Sequence, residues 1–417
     1  MNDSKFDVVI VGAGPAGIAA ACSAAECGRS VVLIDETPWP GGQIWRGRQT
    51  SSRPKVATQW IDRLHNSGAT VLDQTTVIGS AGPGLLLAES KGRPCRVRWD
   101  KLIVATGARE LFLPFPGWTL PGVTGAGGLL NLVKNGWPVA GKRVVIAGSG
   151  PLLLAAADGL LKHGAIIVEV AEQTSWSCVA RFGVGLCRRP GKFFQAVNLK
   201  FTMRNVPCTY ESWPVRADGS EKLQHVTLTN GQRTWHHDCD FLACAFGLVP
   251  NIELALCLGC EIKNGFVDVD ARQQTGVKDI YCAGEVTGIA GADGALVEGQ
   301  IAGYCAAGAD HRAEALAGKR RSWHRFGSDL AKAFALRPEL RVLAEDQTIV
   351  CRCEDVALGC LKTFSNWREA KLHSRCGMGP CQGRVCGPAV KEIFGWELES
   401  VRPPISPARV ASLIAED

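Results

Sequence analysis

An unbroken apolar run that stops at a glycine turn and resumes as an Ala-rich helix permits few folds. Val8-Val9-Ile10-Val11 is β-branched throughout, as expected of a strand buried on both faces in a parallel sheet. Gly12-Ala13-Gly14-Pro15-Ala16-Gly17 follows, then a small-residue helix to about Gly28 and a second strand, Val31-Val32-Leu33-Ile34, ending at Asp35-Glu36. In such a G-x-G-x-x-G turn the first glycine permits the tight bend. The second lets backbone approach a pyrophosphate, and the third lets helix and strand pack closely. The helix N-terminus, opened by Pro15 and Ala16, offers unpaired N–H groups and a positive dipole end to phosphate. Asp35 lies 23 residues after Gly12, where an acid can bind ribose hydroxyls, with Glu36 beside it. A dinucleotide site is the reading these residues support.

The pattern returns roughly 135 residues later. Val144-Val145-Ile146-Ala147 precedes Gly148-Ser149-Gly150-Pro151-Leu152-Leu153, an Ala/Leu-rich helix follows, and a second strand is expected to end near Glu169. Leu153 stands where the third glycine belongs, which compromises close helix–strand packing. Gly148 and Gly150 therefore mark either an NAD(P)H site or a retained fold holding another nucleotide or none. Arg181, Arg188 and Arg189 follow, but nothing in their pattern selects a 2′-phosphate.

The chain's 417 residues suffice for two or three domains, and 46% apolar with 21% charged residues is ordinary globular composition. A net charge of +6 does not by itself argue for nucleic acid or membrane. No basic segment followed by an apolar core opens the sequence, so no signal peptide is expected, and no run of about 18 apolar residues predicts a membrane helix. Eighteen cysteines then imply a reducing, cytoplasmic setting. Residues 205–245 read as β-rich with an Asn230-Gly231 hairpin turn, and 309–346 as a helical, charged connector broken by Pro338.

From residue 347 a Cys-rich segment begins: Cys351-Arg-Cys353-Glu, then Cys376-Gly-Met-Gly-Pro-Cys381-Gln-Gly-Arg-Val-Cys386. Four thiolates are the usual requirement of a [2Fe–2S] cluster. Cys351 and Cys353 can reach one iron from a single loop, and Cys381 and Cys386 the other across a glycine turn, with Cys376 an alternative ligand. Gly377, Gly379 and Gly383 let backbone N–H groups approach the sulfurs. Zinc pairs favour C-x₂₋₄-C, so C-x-C argues against zinc.

Other cysteines and histidines carry less. Cys257-Leu-Gly-Cys260 reads as core packing, and Cys178 and Cys187 are isolated. His236 and His237 point to opposite faces of a strand and cannot easily share an ion. No acid–base constellation for a substrate is apparent.

Taken together, residues 5–305 resemble the two-dinucleotide-domain flavoproteins related to thioredoxin and glutathione reductases. The resemblance rests on the first glycine motif, Pro40-Gly41-Gly42-Gln43, Ala105-Thr106-Gly107-Ala108 and Thr275-Gly-Val-Lys-Asp-Ile-Tyr-Cys-Ala-Gly284-Glu285. It implies FAD as cofactor, with Gly42, Gln43, Thr106, Gly107, Gly284 and Glu285 joining the first motif around it. Glu285 replaces the usual Asp. The redox-active Cys pair of the disulfide reductases is missing, since Ile44-Trp45-Arg46 follows Gln43. Residues 347–400 resemble the bacterioferritin-associated-ferredoxin-like [2Fe–2S] domain, although the gap from Cys353 to Cys381 is 27 residues and the second pair is C-x₄-C.

The order of parts resembles one group over nearly the whole chain: the large (α) subunits of bacterial heteromeric flavin dehydrogenases. These include opine oxidases, D-hydroxyproline and dye-linked L-proline dehydrogenases, hydrogen cyanide synthase and, more distantly, sarcosine oxidase. The pieces 40–46, 148–154, 351–354 and 377–384 carry it. The implied fold is α/β. Two Rossmann-like domains, 1–110 with 245–308 for FAD and 111–244 for a second nucleotide, precede the connector and a small [2Fe–2S] domain at 347–417. The implied activity is oxidation of a CH–NH or CH–NH₂ donor on an FAD-containing, amine-oxidase-like β subunit, with electrons relayed through this chain. Further implied parts are a small ferredoxin-like γ subunit, a second flavin (FMN) at a subunit interface, or NAD(P) or ATP in the second domain. Attachment to the inner membrane would come through partners. The alternatives are a self-sufficient NAD(P)H-dependent reductase, a glycine-oxidising hydrogen cyanide synthase subunit, and a non-enzymatic scaffold.

Overall fold

The first β-branched run becomes the centre of a parallel sheet in a computed structural model that describes residues 3–46, 54–397 and 401–414. Asp3–Val11 pairs in parallel with Val31–Ile34 on one side and with Arg93–Val104 on the other. Thr70–Leu72 and Ile280–Cys282 extend this parallel core, and the antiparallel strands Thr75–Gly82 and Leu85–Ser90 complete the sheet. Helix Pro15–Ala25 is buried along nearly its whole length, as its small apolar residues require. Helix Gly291–Ala306 packs on it through glycines: a Cβ on Gly299 would stand 2.1 Å from the Ala16 carbonyl oxygen. These elements belong to one compact unit, Met1–Arg109 with Pro250–Ser328 and Glu399–Asp417.

The second unit, Glu110–Val249 with Asp329–Leu398, repeats the design. Its parallel sheet runs in the order Cys208–Tyr210, Ile166–Glu172, Arg143–Gly148, Phe241–Ala245, Val123–Gly125. The strand expected to end near Glu169 continues to Glu172, so Glu172 is the acid at its tip. Trp213–Asp218, His225–Thr229 and Thr234–Asp238 form an antiparallel meander, with the expected turn at Asn230-Gly231. On it His236 pairs with Thr227 while His237 meets the buried Glu169, so the two histidines do serve separate partners.

By contact, the cysteine-bearing residues up to Leu398 group with the second unit. Leu340 of the connector is buried in that unit's core with Trp118 and Trp213, and Val385 packs against it, while Val350, Leu361, Trp367 and Val390 form a core of their own around Cys351, Cys376 and Cys386. Residues 401–414 instead return to the first unit, where Ile405 is buried and the Arg409 N–H and the Ser412 hydroxyl both donate to Glu89.

Candidate functional site

In the first unit the glycine turn has the close approaches that its sequence requires. Gly12 sits at φ 106°, and a Cβ there would lie 2.3 Å from the Ala105 carbonyl oxygen. One on Gly17 would lie 1.7 Å from the Gly12 oxygen, so any side chain would push the helix off the strand. Around Gly14 the space is open: a Cβ would meet only Gly42, at 3.9 Å. The Gly41 N–H donates to the Ala13 oxygen, which brings the Gly41-Gly42-Gln43 turn over the loop. Asp35 accepts the Ala13 N–H at 2.5 Å and the Thr37 N–H at 2.8 Å, while Glu36 is exposed.

Thr106 and Gly107 are tied to Asn251 from the far part of the chain. The Thr106 hydroxyl donates to the Asn251 oxygen at 2.6 Å, and the Asn251 amide donates back to the Thr106 oxygen. Gly284 (φ 83°) stands against Ala16 at the start of the helix. Its N–H donates to Glu298, which also accepts the Thr287 hydroxyl and faces His324 at 2.9 Å. Burial pushes the Glu285 carboxyl up to about 7. Tight glycines, open space at Gly14 at the start of the helix and a carboxyl that burial keeps protonated, able to donate to a hydroxyl, suit a bound dinucleotide, so the residues fit FAD.

The second glycine loop differs. Gly148 again presses on its neighbour strand, at φ 144°, but Gly150 takes φ 89° where Gly14 has −75°. Leu153 is buried in the core with Val144, Ile146 and Ala157. Glu172, raised by burial, accepts the N–H groups of Gly150 and Thr174. Arg181 lies on helix Trp176–Gly185 and Arg188 on the short turn after it, and both are exposed.

Near the C-terminal end, the thiols converge. The sulfurs of Cys351, Cys376 and Cys386 lie within 4.8 Å of one another and are buried. Cys353 is exposed and takes the Cys381 N–H beside the Cys381 thiol. Cys351 thus lies with Cys376 and Cys386, and Cys353 beside Cys381. The 352–355 turn, closed by strands Ile349–Cys351 and Val356–Ala357 with Asp355 at φ 52°, carries both Cys351 and Cys353. Cys376 joins Cys386 beside Cys351. The Cys351 thiol is held far below its usual range, first by the Cys376 and Cys386 thiols and then by the Gly377 and Glu354 N–H groups.

The glycines here are sterically required. A Cβ on Gly377 (φ 80°) would lie 2.7 Å from the Trp367 ring, and one on Gly379 2.2 Å from Cys353 Cβ. Cys351, Cys353, Cys381 and Cys386 all line one cleft of about 380 Å³ with Phe112, Trp118 and Arg352. Trp118 Nε1 donates to the Ile349 oxygen at 2.6 Å, and Arg352 lies over the Trp118 ring. Soft thiolates with nearby N–H donors form a donor set suited to iron–sulfur chemistry. All eighteen cysteines are unbridged.

Sequence reading missed Glu298, His324, Asn251, Gln173 and Phe334. Glu298 had a usable signal, the one charged residue in the Gly-rich run 294–306. The others are polar or aromatic residues whose partners are distant in sequence.

This fold and first site define a flavin-dependent oxidoreductase class. The chain belongs to the pyridine nucleotide-disulphide oxidoreductase family, whose profile matches residues 6–304. Within it the chain stands with two kinds of full-length relative. It is 30% identical to hydrogen cyanide synthase subunit HcnB of Pseudomonas aeruginosa, over 91% of this chain and 90% of that one. It is 31% identical to an opine oxidase subunit of Rhizobium meliloti (strain 1021), over 99% of both. The crystal structure of L-proline dehydrogenase from P. horikoshii superposes with a TM-score of 0.71 at 22% identity, covering 99% of this chain and 80% of that one, a likeness of fold. No described helix is long and apolar enough to cross a membrane.

Proposed function

We propose that this chain is the electron-relay subunit of a heteromeric flavin dehydrogenase that oxidises a C–N bond of an amino acid, imino acid or opine. The observation that carries the reading is the single cleft lined by Cys351, Cys353, Cys381 and Cys386, in a chain that also keeps an intact first dinucleotide loop. Two relatives whose names make them subunits, of opine oxidase and of hydrogen cyanide synthase, support a partner polypeptide.

In this reading Gly12, Gly14, Gly17 and the first turns of helix Pro15–Ala25 hold the FAD pyrophosphate, Asp35 the ribose, and the Gly284-Glu285 turn closes over the pyrophosphate and ribityl chain. The four thiols of the cleft hold a [2Fe–2S] cluster. Bound together, a flavin takes two electrons at once and such a cluster passes them singly. The protein's own part is to shape both sites. Glu298 and His324 hold the Gly284 turn, Asn251 locks Thr106, and the Gly377 and Glu354 N–H groups stabilise charge on the Cys351 sulfur. Substrate oxidation belongs to the partner polypeptide.

The test is anaerobic. The purified chain is expected to contain flavin with two iron and two acid-labile sulfide, and to stay oxidised with NADH or NADPH. With its partner chain and an amine donor, the flavin absorbance should bleach and a reduced-cluster EPR signal should appear. Cys351→Ser should lose all iron, whereas Cys376→Ser should keep it. Reduction by NADH alone within turnover times, or an iron-free chain, would sink the proposal.

A further inference from the structure

The second glycine loop has a feature that its nucleotide-binding pattern does not require: part of the same chain lies across it. The Ser149 hydroxyl donates to the Phe334 carbonyl oxygen at 3.1 Å, and a Cβ on Gly150 would meet the Phe334 ring at 3.5 Å. Gln173, fully buried just past the strand tip, binds the same segment. Its amide nitrogen donates to the Ala335 oxygen at 2.9 Å and to the Ser149 hydroxyl at 2.9 Å. Its amide oxygen accepts the Arg337 N–H at 2.9 Å. Phe182 meets the Phe334 ring edge-on at 5.2 Å, and the Arg337 guanidinium lies over Trp213 at 4.9 Å.

The glycine loop and the tip of the following strand are the two elements that hold the adenosine half of a dinucleotide. Here both are committed. The Ser149 hydroxyl is spent on Phe334, and the side-chain amide after the acid on residues 335 and 337. A buried amide with donor and acceptor both satisfied resists displacement, because a ligand would have to replace each bond it breaks.

We propose that the second glycine loop is an internal docking site: Ser149, Gly150 and Gln173 bind residues Phe334–Arg337 of the same chain where a dinucleotide would lie. The loop thereby serves as the anchor of the cysteine-bearing segment. From Arg337 the chain continues through Leu340 and Leu343, packed in the core that holds Trp118, whose indole in turn pins Ile349 ahead of Cys351. The altered third position fits this use. With Leu153 inside the core, Gly150 takes φ 89° and meets the Phe334 ring. This docking is independent of what the thiol cleft holds.

Hydrogen exchange followed by mass spectrometry on the full-length chain tests it, with NADH, NADPH and ATP added separately. Exchange in 146–153 and 334–340 should be unchanged by any of the three. Gln173→Ala and Phe334→Ala should each raise exchange in both segments together by roughly tenfold, with the flavin content unchanged. Protection of 146–153 by a nucleotide, or release of 334–340 on its addition, would overturn the inference. So would a Gln173→Ala chain whose two segments exchange as in the unaltered protein.

Discussion

The two glycine loops begin from nearly the same strand and turn, yet one is open and the other is covered. At the first, Gly17 lets the helix close on the Gly12 carbonyl, and only Gly42 lies near Gly14. At the second, Leu153 takes the corresponding place, Gly150 moves to positive φ, and Phe334 covers the loop. At the third glycine position the first loop keeps its close helix–strand approach, whereas the second has a buried leucine. The motif's first two glycines report the strand–turn–helix connection, and the third reports whether the cradle survives.

The comparison breaks most severely by exchanging its decisive residues. Gly17→Leu should cost about 3–5 kcal/mol and abolish flavin retention, because the new Cβ would sit on the Gly12 carbonyl. Leu153→Ala should cost about 3 kcal/mol by opening a core cavity while leaving the flavin in place. Denaturant titrations and flavin-to-protein ratios read both. A Gly17→Leu chain that purifies with full flavin would remove the basis of the contrast.

A smaller effect sharpens the first site's electrostatics. With its carboxyl raised to about 7 by burial, Glu285 favours the fold when protonated. In flavin-free protein this stabilisation is complete below the unfolded carboxyl's pKa and fades as pH rises through about 7, with a span of roughly 3 kcal/mol. Glu285→Gln should flatten that slope between about pH 5 and 8 in denaturant titrations at stepped pH. An unchanged slope would show that the carboxyl is not desolvated as described.

The smallest effect is expected at the support of the Gly284 turn. His324→Ala removes a partner from the buried Glu298 and should cost about 1 kcal/mol, since His324 is itself partly in solvent. Flavin affinity should weaken about fivefold and the Gly284 amide should exchange faster. Equal flavin affinity would mean that Thr287 and the Gly284 N–H hold Glu298 unaided.

Much of the first site was legible because its determinants are local. The glycine spacing, Asp35 at the next strand end and the Gly284-Glu285 turn each follow from a few adjacent residues. The cysteines were legible as a group but not as pairs. C-x-C placed Cys351 and Cys353 on one loop, and the fold sets Cys353 beside Cys381 and Cys351 with Cys376 and Cys386. Domain limits were harder. Nothing in the composition near residue 347 indicates that Leu336, Leu340 and Val385 will share a core with Trp118, or that residues 401–414 will return to the first unit.

The sequence by itself determined the two α/β units, the open dinucleotide loop and the presence of a thiol-rich segment. These depend on strand and helix periodicity, on glycines that no other residue can replace, and on thiols close together along the chain. Only the tertiary structure decided the occupant of the second loop and the pairing of the thiols. Gln173 and Ala335 are 162 residues apart and Cys353 and Cys381 are 28 apart, so which of them meet depends on how helices and turns pack and not on any spacing that can be read along the chain.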